Sequence, residues 1–188
     1  MNDSIVIRRA TVSDADRLSK ICQRTFRETF LEDFSIPYPE KDLEEYLRSS
    51  TSEESFEKKL RDDRGAAWLM EDQNDGQCIG YALVGPCHTD DLPHPDIREG
   101  EDGQLNRFYV QRDHQNRGLG RRLMSSTILP WFDEHYPQRP IWLSVWSDNI
   151  KAQQFYASYG FVHVGDFDYP VGQWKDREFI FKRSATTL

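Results

Sequence analysis

The sequence predicts one domain of mixed α/β class, and three observations carry that expectation. Apolar residues recur at steps of three and four before Ala66, gather into short contiguous runs after it, and return to helical spacing near Leu119. These stretches alternate along the whole chain, with no repeat, low-complexity tract or linker to divide it, so residues 1–188 read as a single unit. The 188 residues are 37% hydrophobic and 13% aromatic, enough to bury a sizeable core, and a 30% charged share suits a globular surface rather than a disordered chain.

Taken in order, Ile5-Val6-Ile7-Arg8-Arg9 reads as a first strand, and Ser13-Asp14-Ala15-Asp16 has the form of a capping box. Ala15, Leu18, Cys22, Phe26 and Phe30 then line one face of a helix ending near Phe30. Pro37 and Pro39 interrupt the chain. Two shorter helices follow, one bearing Leu43, Tyr46 and Leu47, the other opened by Thr51 or Ser52 and bearing Phe56 and Leu60. Trp68-Leu69-Met70 and the run from Cys78 to Val84 flank Asn74-Asp75-Gly76, which suits a hairpin. Cys87 to Gly103, rich in Pro, Gly and the acids Asp90, Asp91, Asp96, Glu99, Glu101 and Asp102, reads as an exposed acidic loop. Leu105 to Val110 is a strand, and Leu119, Leu123, Met124, Ile128, Trp131 and Phe132 share a helix face that Pro130 should bend or end early. Ile141 to Val145 is a buried strand. Asp148 or Ser147 caps the next helix, whose face carries Ala152, Phe155, Tyr156 and Tyr159 and which Gly160 stops. Phe161 to Val164 and Glu178 to Phe181 complete the sheet.

Composition excludes several functions. A net charge of −8 without a Lys/Arg block argues against nucleic acid, whose phosphates need a basic face. No apolar run approaches the roughly 20 residues of a membrane span, and Met1-Asn2-Asp3-Ser4 lacks the basic start of a secretory signal, so a cytoplasmic location without membrane attachment is expected. Cys22, Cys78 and Cys87 form neither a disulfide framework nor a zinc set, and the five scattered histidines complete no metal-ligand spacing, so no metal is expected.

Chemistry concentrates in Gln115-Asn116-Arg117-Gly118-Leu119-Gly120, which stands between the Leu105 to Val110 strand and an amphipathic helix. Glycines permit close backbone approach, and a helix N-terminus offers free N–H groups and positive dipole to a phosphate. Arg117, Arg121 and Arg122 add charge. A dinucleotide fingerprint would need glycine at Leu123, and a P-loop would need Gly-Lys-Ser/Thr, which is absent. A tight strand-to-helix turn is the plainer alternative.

Leu105-Asn106-Arg107-Phe108-Tyr109-Val110, then Gln115-x-x-Gly118-x-Gly120, then Asn149-x-x-Ala152-x-x-Phe155-Tyr156-x-x-x-Gly160-Phe161 together resemble the GNAT superfamily of acetyl-CoA-dependent N-acetyltransferases. Thr25-Phe26-x-x-Thr29-Phe30 and Ile141-Trp142-Leu143-x-Val145-Trp146 look most like PaiA-type spermidine/spermine acetyltransferases, although such residues also serve as core. The resemblance implies a mostly antiparallel twisted sheet, flanked by helices and split between its fourth and fifth strands. It implies acetyl-CoA as co-substrate, with its pantetheine arm along Phe108, Tyr109 and Val110, its diphosphate on backbone N–H groups of Gln115, Asn116, Arg117, Gly118, Leu119, Gly120 and Arg121, and Asn149 opposite. Asn149 is otherwise a helix cap.

The implied reaction is direct acetyl transfer to a primary amine, a polyamine or another small amine, in a ternary complex. It needs an uncharged amine, a stabilised oxyanion and a proton for the departing thiolate. Tyr156 matches the family's proton donor, and is otherwise a core aromatic; the Val110 N–H matches its oxyanion donor. Many relatives carry Glu where this chain has Asn106, which cannot accept a proton at neutral pH. The base is therefore Glu28, an acid of the Asp90 to Asp102 loop, or a water chain. That loop is also expected to attract a polycation. Alternatives are acetylation of protein amino groups, or a non-catalytic acyl-CoA-binding module. Dimers are common in the superfamily, which allows a homodimer.

Overall fold

The computed structural model describes residues 4–185, so Met1, Asn2 and Asp3 of the signal reading lie outside the described residues. The chain runs β1 (Ile5–Arg9), α1 (Ala15–Phe26), α2 (Glu40–Ser50), α3 (Glu53–Leu60), β2 (Ala66–Asp72), β3 (Cys78–Pro86) and β4 (Gly103–Val110). It continues through α4 (Leu119–Leu123), α5 (Leu129–His135), β5 (Ile141–Trp146), α6 (Ile150–Ala157), β6 (Val162–Val171) and β7 (Trp174–Arg183). The strands form one seven-stranded sheet in the order β1-β2-β3-β4-β5-β7-β6. Every neighbouring pair is antiparallel except β4 and β5.

Helices cover both faces. On one, Ala67, Leu69, Tyr81 and Leu83 pack against Leu18, Ile21 and Cys22 of α1 and Phe56 of α3. On the other, Trp68, Met70, Ala82, Leu143, Val145 and Phe181 meet Leu119, Leu123 and Met124, then Trp131 and Phe132 of α5. Strand alternation therefore sends successive side chains to different neighbours. Tyr109 stacks on Tyr81 beneath α1, at 5.8 Å between centroids, while Phe108 stacks on Phe155 of α6 at 5.5 Å.

Several local expectations are corrected. The capping box is Thr11 with Asp14, two residues before Ser13-Asp14-Ala15-Asp16. Asp14 accepts from the Thr11 N–H at 2.9 Å and from Arg8 of β1 at 2.7 and 2.9 Å, and these bonds hold its carboxyl well below the usual range. The Arg8 pairing, invisible to local spacing, selects this cap. Helix α1 does reach past Phe30, but as a wider π-helical stretch, Arg27–Asp33. Pro130 does not end its helix; the preceding turns, Met124–Ile128, are π-helical, which makes room for the ring, and α5 continues to His135. The last two strands are ten residues each, joined at Gly172-Gln173, far longer than the apolar runs that marked them. At that tip Gly172 has φ +62°, and a Cβ there would lie 2.6 Å from Asp42 of α2.

The acidic segment is not simply an exposed loop. Cys87, Leu92 and Ile97 are buried against Trp142 and Ile180, because this segment covers the part of the β5–β7 face that no helix reaches. Asp102 is fully buried; it accepts from Trp142 Nε1 at 2.9 Å and the Arg98 N–H at 3.1 Å, and pairs with Arg139 at 3.0 Å.

Candidate active site

The parallel pair explains where a site can form. β4 and β5 share only Gly103↔Ile141 and Gln104↔Trp142 before they part, which bears out the split between fourth and fifth strands. Beyond Gln104 the β4 edge is open, and a cleft of about 670 Å³ occupies the gap. The Gln111 N–H donates to Ile79 of β3 at 2.8 Å, so by strand alternation the N–H and C=O of Phe108 and Val110 point into the gap. Gln115 Nε2 caps the Val110 carbonyl at 3.0 Å, leaving the Val110 N–H free for an acyl oxygen.

The turn after β4 gathers free backbone donors into one concave stretch. Asn116 and Gly118 have φ of +59° and +77°, and Gly118 is the N-cap of α4. Among the described residues, no backbone N–H from Asn116 to Arg121 donates to a protein acceptor. Consecutive free donors at a helix start form a concave site for phosphate oxygens. Gly120 faces Phe108, where a Cβ would sit 3.5 Å from the ring.

Of the residues singled out from sequence, Phe108, Tyr109, Val110, Gln115, Asn116, Gly118, Leu119, Gly120, Arg121, Asn149 and Tyr156 all line this cleft. Arg117 does not, and Arg122 is spent on the Ile5 carbonyl at 2.9 Å. Asn149, rather than Asp148 or Ser147, caps α6; its side chain accepts from the Ala152 N–H at 3.0 Å. Lys151 donates to Gln115 Oε1 at 2.8 Å and ties the two lips together.

Tyr156 packs beside Phe108, Phe155 and Phe161, and burial raises its hydroxyl well above the ordinary phenol range. It therefore keeps its proton near neutrality, as a donor must.

The base candidates fare differently. Glu28 accepts from Arg24 at 3.0 Å and from the Arg112 N–H at 3.1 Å and does not line the cleft. No acid of the 90–102 segment lines it either, since that segment packs at the end where β4 and β5 are still paired. Sequence reading missed Glu178. It lines the cleft from β7, opposite Trp146 in register, and burial pushes its carboxyl up to about 7. Its signal was an acid at the head of an otherwise apolar strand, Glu178 to Phe181. Phe30 and Phe34 roof this end, with Phe34 4.4 Å from Trp146.

No helix among the described residues is long and apolar enough to cross a membrane, and no group of three or more His, Cys, Asp or Glu among them could hold a metal.

Comparison with known proteins agrees with this architecture. An uncharacterized N-acetyltransferase of Lactobacillus delbrueckii subsp. lactis is 23% identical over 158 residues, 84% of this chain and 87% of that protein. A spermine/spermidine N(1)-acetyltransferase of Bacillus subtilis is 28% identical over 97 residues, 50% of this chain and 59% of that protein. The PaiA N-acetyltransferase from Thermoplasma acidophilum, solved in complex with coenzyme A, shares the fold with a TM-score of 0.70 at 18% identity, covering 96% of this chain and 99% of that one. Residues 24–161, from α1 through the Tyr156 helix, match the acetyltransferase (GNAT) family, and the chain therefore belongs to that family of acyl-transferring enzymes, as its three linked motifs indicated.

Proposed function

We propose that the protein transfers the acetyl group of acetyl-CoA to a primary amine of a small molecule, with both substrates bound at once. One observation carries the reading: the cleft passes between β4 and β5 and is lined from both faces of the sheet. Tyr156 lies on the face of α4 to α6, whereas Trp146 and Glu178 lie on the face of α1. Two molecules can thus approach one point from opposite sides.

The residues present fit the cofactor. The free edge at Phe108 and Val110 can pair with an extended amide-bearing arm in the manner of an added strand. The N–H groups from Asn116 to Arg121 suit its diphosphate, with Arg121 adding charge. Its thioester supplies the acetyl group. Asn149, engaged as a cap, contributes by holding the start of α6 against this site.

The acceptor end supports a polyamine. Asp33, Asp148 and Glu178 line it beside Phe30, Phe34 and Trp146, so acids and aromatic faces together suit a long cation. The name of the Bacillus relative points the same way. Measuring thiol release from acetyl-CoA against polyamines, monoamines, amino acids and peptides tests the proposal. Turnover with spermidine or spermine at a lower KM than a monoamine of similar basicity is expected. Acetyl-CoA binding without transfer to any acceptor would indicate a non-catalytic module, and transfer to peptides alone a protein acetyltransferase.

A further inference from the structure

An amine is protonated near neutrality and cannot attack until it loses a proton, so a transferase of this kind needs an acceptor for that proton. Asn106 cannot serve, Glu28 is engaged by Arg24 and Arg112, and the acids of residues 90–102 lie outside the cleft.

Resting on the acetyltransferase reading above, we propose that Glu178 is the catalytic base, taking a proton from the acceptor ammonium inside the window between β4 and β5. Three features place it there. Its register partner Trp146 sets it on the α1 face, opposite the face from which Tyr156 enters. Phe30, Phe34 and Trp146 form an aromatic wall beside it, able to hold a cation's stem and keep water out. Tyr156 lies within its electrostatic reach, so acid and base address one small volume from opposite sides.

The groups that face Glu178 are Asp176 on its own strand, Arg107 and Tyr109 on β4, Tyr156 on α6, Tyr169 on β6, and Tyr38 before α2. All four tyrosines are held above the ordinary phenol range and stay neutral. Burial raises the Glu178 carboxyl and outweighs the lowering effect of a Ser144 hydrogen bond and of Arg107, with Asp176 adding to the rise, so that it stands at about 7. A carboxylate poised there can both take a proton and release it.

Glu178 takes one proton from the ammonium, freeing the nitrogen lone pair. Tyr156 gives its proton to the departing sulfur as the new N–C bond replaces the C–S bond, and recovers a proton from the acetylated nitrogen. Glu178 then releases its proton to solvent. The sum is amide, free thiol and one proton.

The test measures kcat and KM for spermidine from pH 5.5 to 9.5 in the wild type, Glu178→Gln and Glu178→Asp, with acetyl-CoA affinity by calorimetry and folding by circular dichroism. Wild-type kcat/KM should rise through an inflection near pH 7. Glu178→Gln should bind acetyl-CoA normally, lose about 10²–10⁴-fold in kcat, and lose that inflection, its residual rate climbing toward the amine's own pKa. Glu178→Asp should fall between them and keep the inflection. A folded Glu178→Gln with wild-type kcat and inflection overturns the proposal. A wild-type profile flat from pH 6 to 8 overturns it whatever the variants do. Failure of the wild type to acetylate any amine would instead overturn the acetyltransferase reading, and this assignment with it.

Discussion

β4 and β5 lie together at one end and stand apart at the other, and the two ends use acids in opposite ways. At the paired end Asp102 is buried with Trp142 Nε1 and the Arg98 N–H donating to Oδ2, while Oδ1 makes no hydrogen bond and has the Arg139 guanidinium 3.0 Å away to balance its charge. At the parted end Glu178 has a Ser144 hydrogen bond and no adjacent guanidinium contact to set against its desolvation, and its carboxyl stands near 7. A buried acid paired with a guanidinium is held as a charge within the fold, whereas one whose desolvation outweighs its partners is left ready to exchange a proton. What decides between the two is the point at which the strands separate.

The largest effect is expected at Tyr156. Tyr156→Phe keeps the ring in its aromatic cluster but removes the proton, so turnover should fall by about 10–10⁴-fold with acetyl-CoA affinity and melting temperature nearly unchanged. Unchanged turnover, with the chemical step shown to be rate-limiting, would reduce Tyr156 to packing.

Asp102→Ala attacks the paired end. It strands Trp142 Nε1 and leaves Arg139 with Glu101 alone, and should cost about 3 kcal/mol in urea unfolding, with kcat per folded molecule retained. A loss of kcat with stability intact would reverse the roles assigned to the two ends.

Glu178→Gln should do the opposite to stability. The folded carboxyl titrates near 7 against an ordinary 4.5, so between those values the folded state binds more protons and stability falls as pH rises through that window. Glutamine carries no such penalty, and at pH 8 the variant should be more stable by about 1–3 kcal/mol. A variant less stable than wild type at pH 8 would mean the carboxylate is well solvated.

The smallest effect concerns the exposed acids of the segment before β4. Asp90, Asp91 and Glu101 are exposed, and Glu99 pairs with His88, all away from the cleft. Neutralising these four should leave polyamine KM and its salt dependence unchanged, because contributions outside the cleft are screened over about 10 Å at 0.1 M salt. A several-fold rise in KM would restore the segment to substrate capture.

Much of this was legible from residue order. The alternating periods gave the mixed α/β class, and three linked motifs located the cofactor side, since close backbone approach and a helix N-terminus need particular residue types at particular spacings. Local reading left Ser147, Asp148 and Asn149 all open as caps of α6, because each is a competent cap and only the path of the chain chooses Asn149. The extent of β6 and β7 escaped it too, since a sheet-edge strand with one solvated face carries few apolar markers.

The order of elements and the glycine-bearing turn after β4 were set by residues near each other in the chain, because both rest on local interactions. Tertiary structure alone decided the fate of each acid. Asp102 and Glu178 look alike in sequence, and their difference arises from partners on other strands: Trp142 and Arg139 for one, an aromatic wall and an open window for the other. Desolvation and pairing depend on what lies within a few ångströms in space, and only the folded sheet brings those groups together.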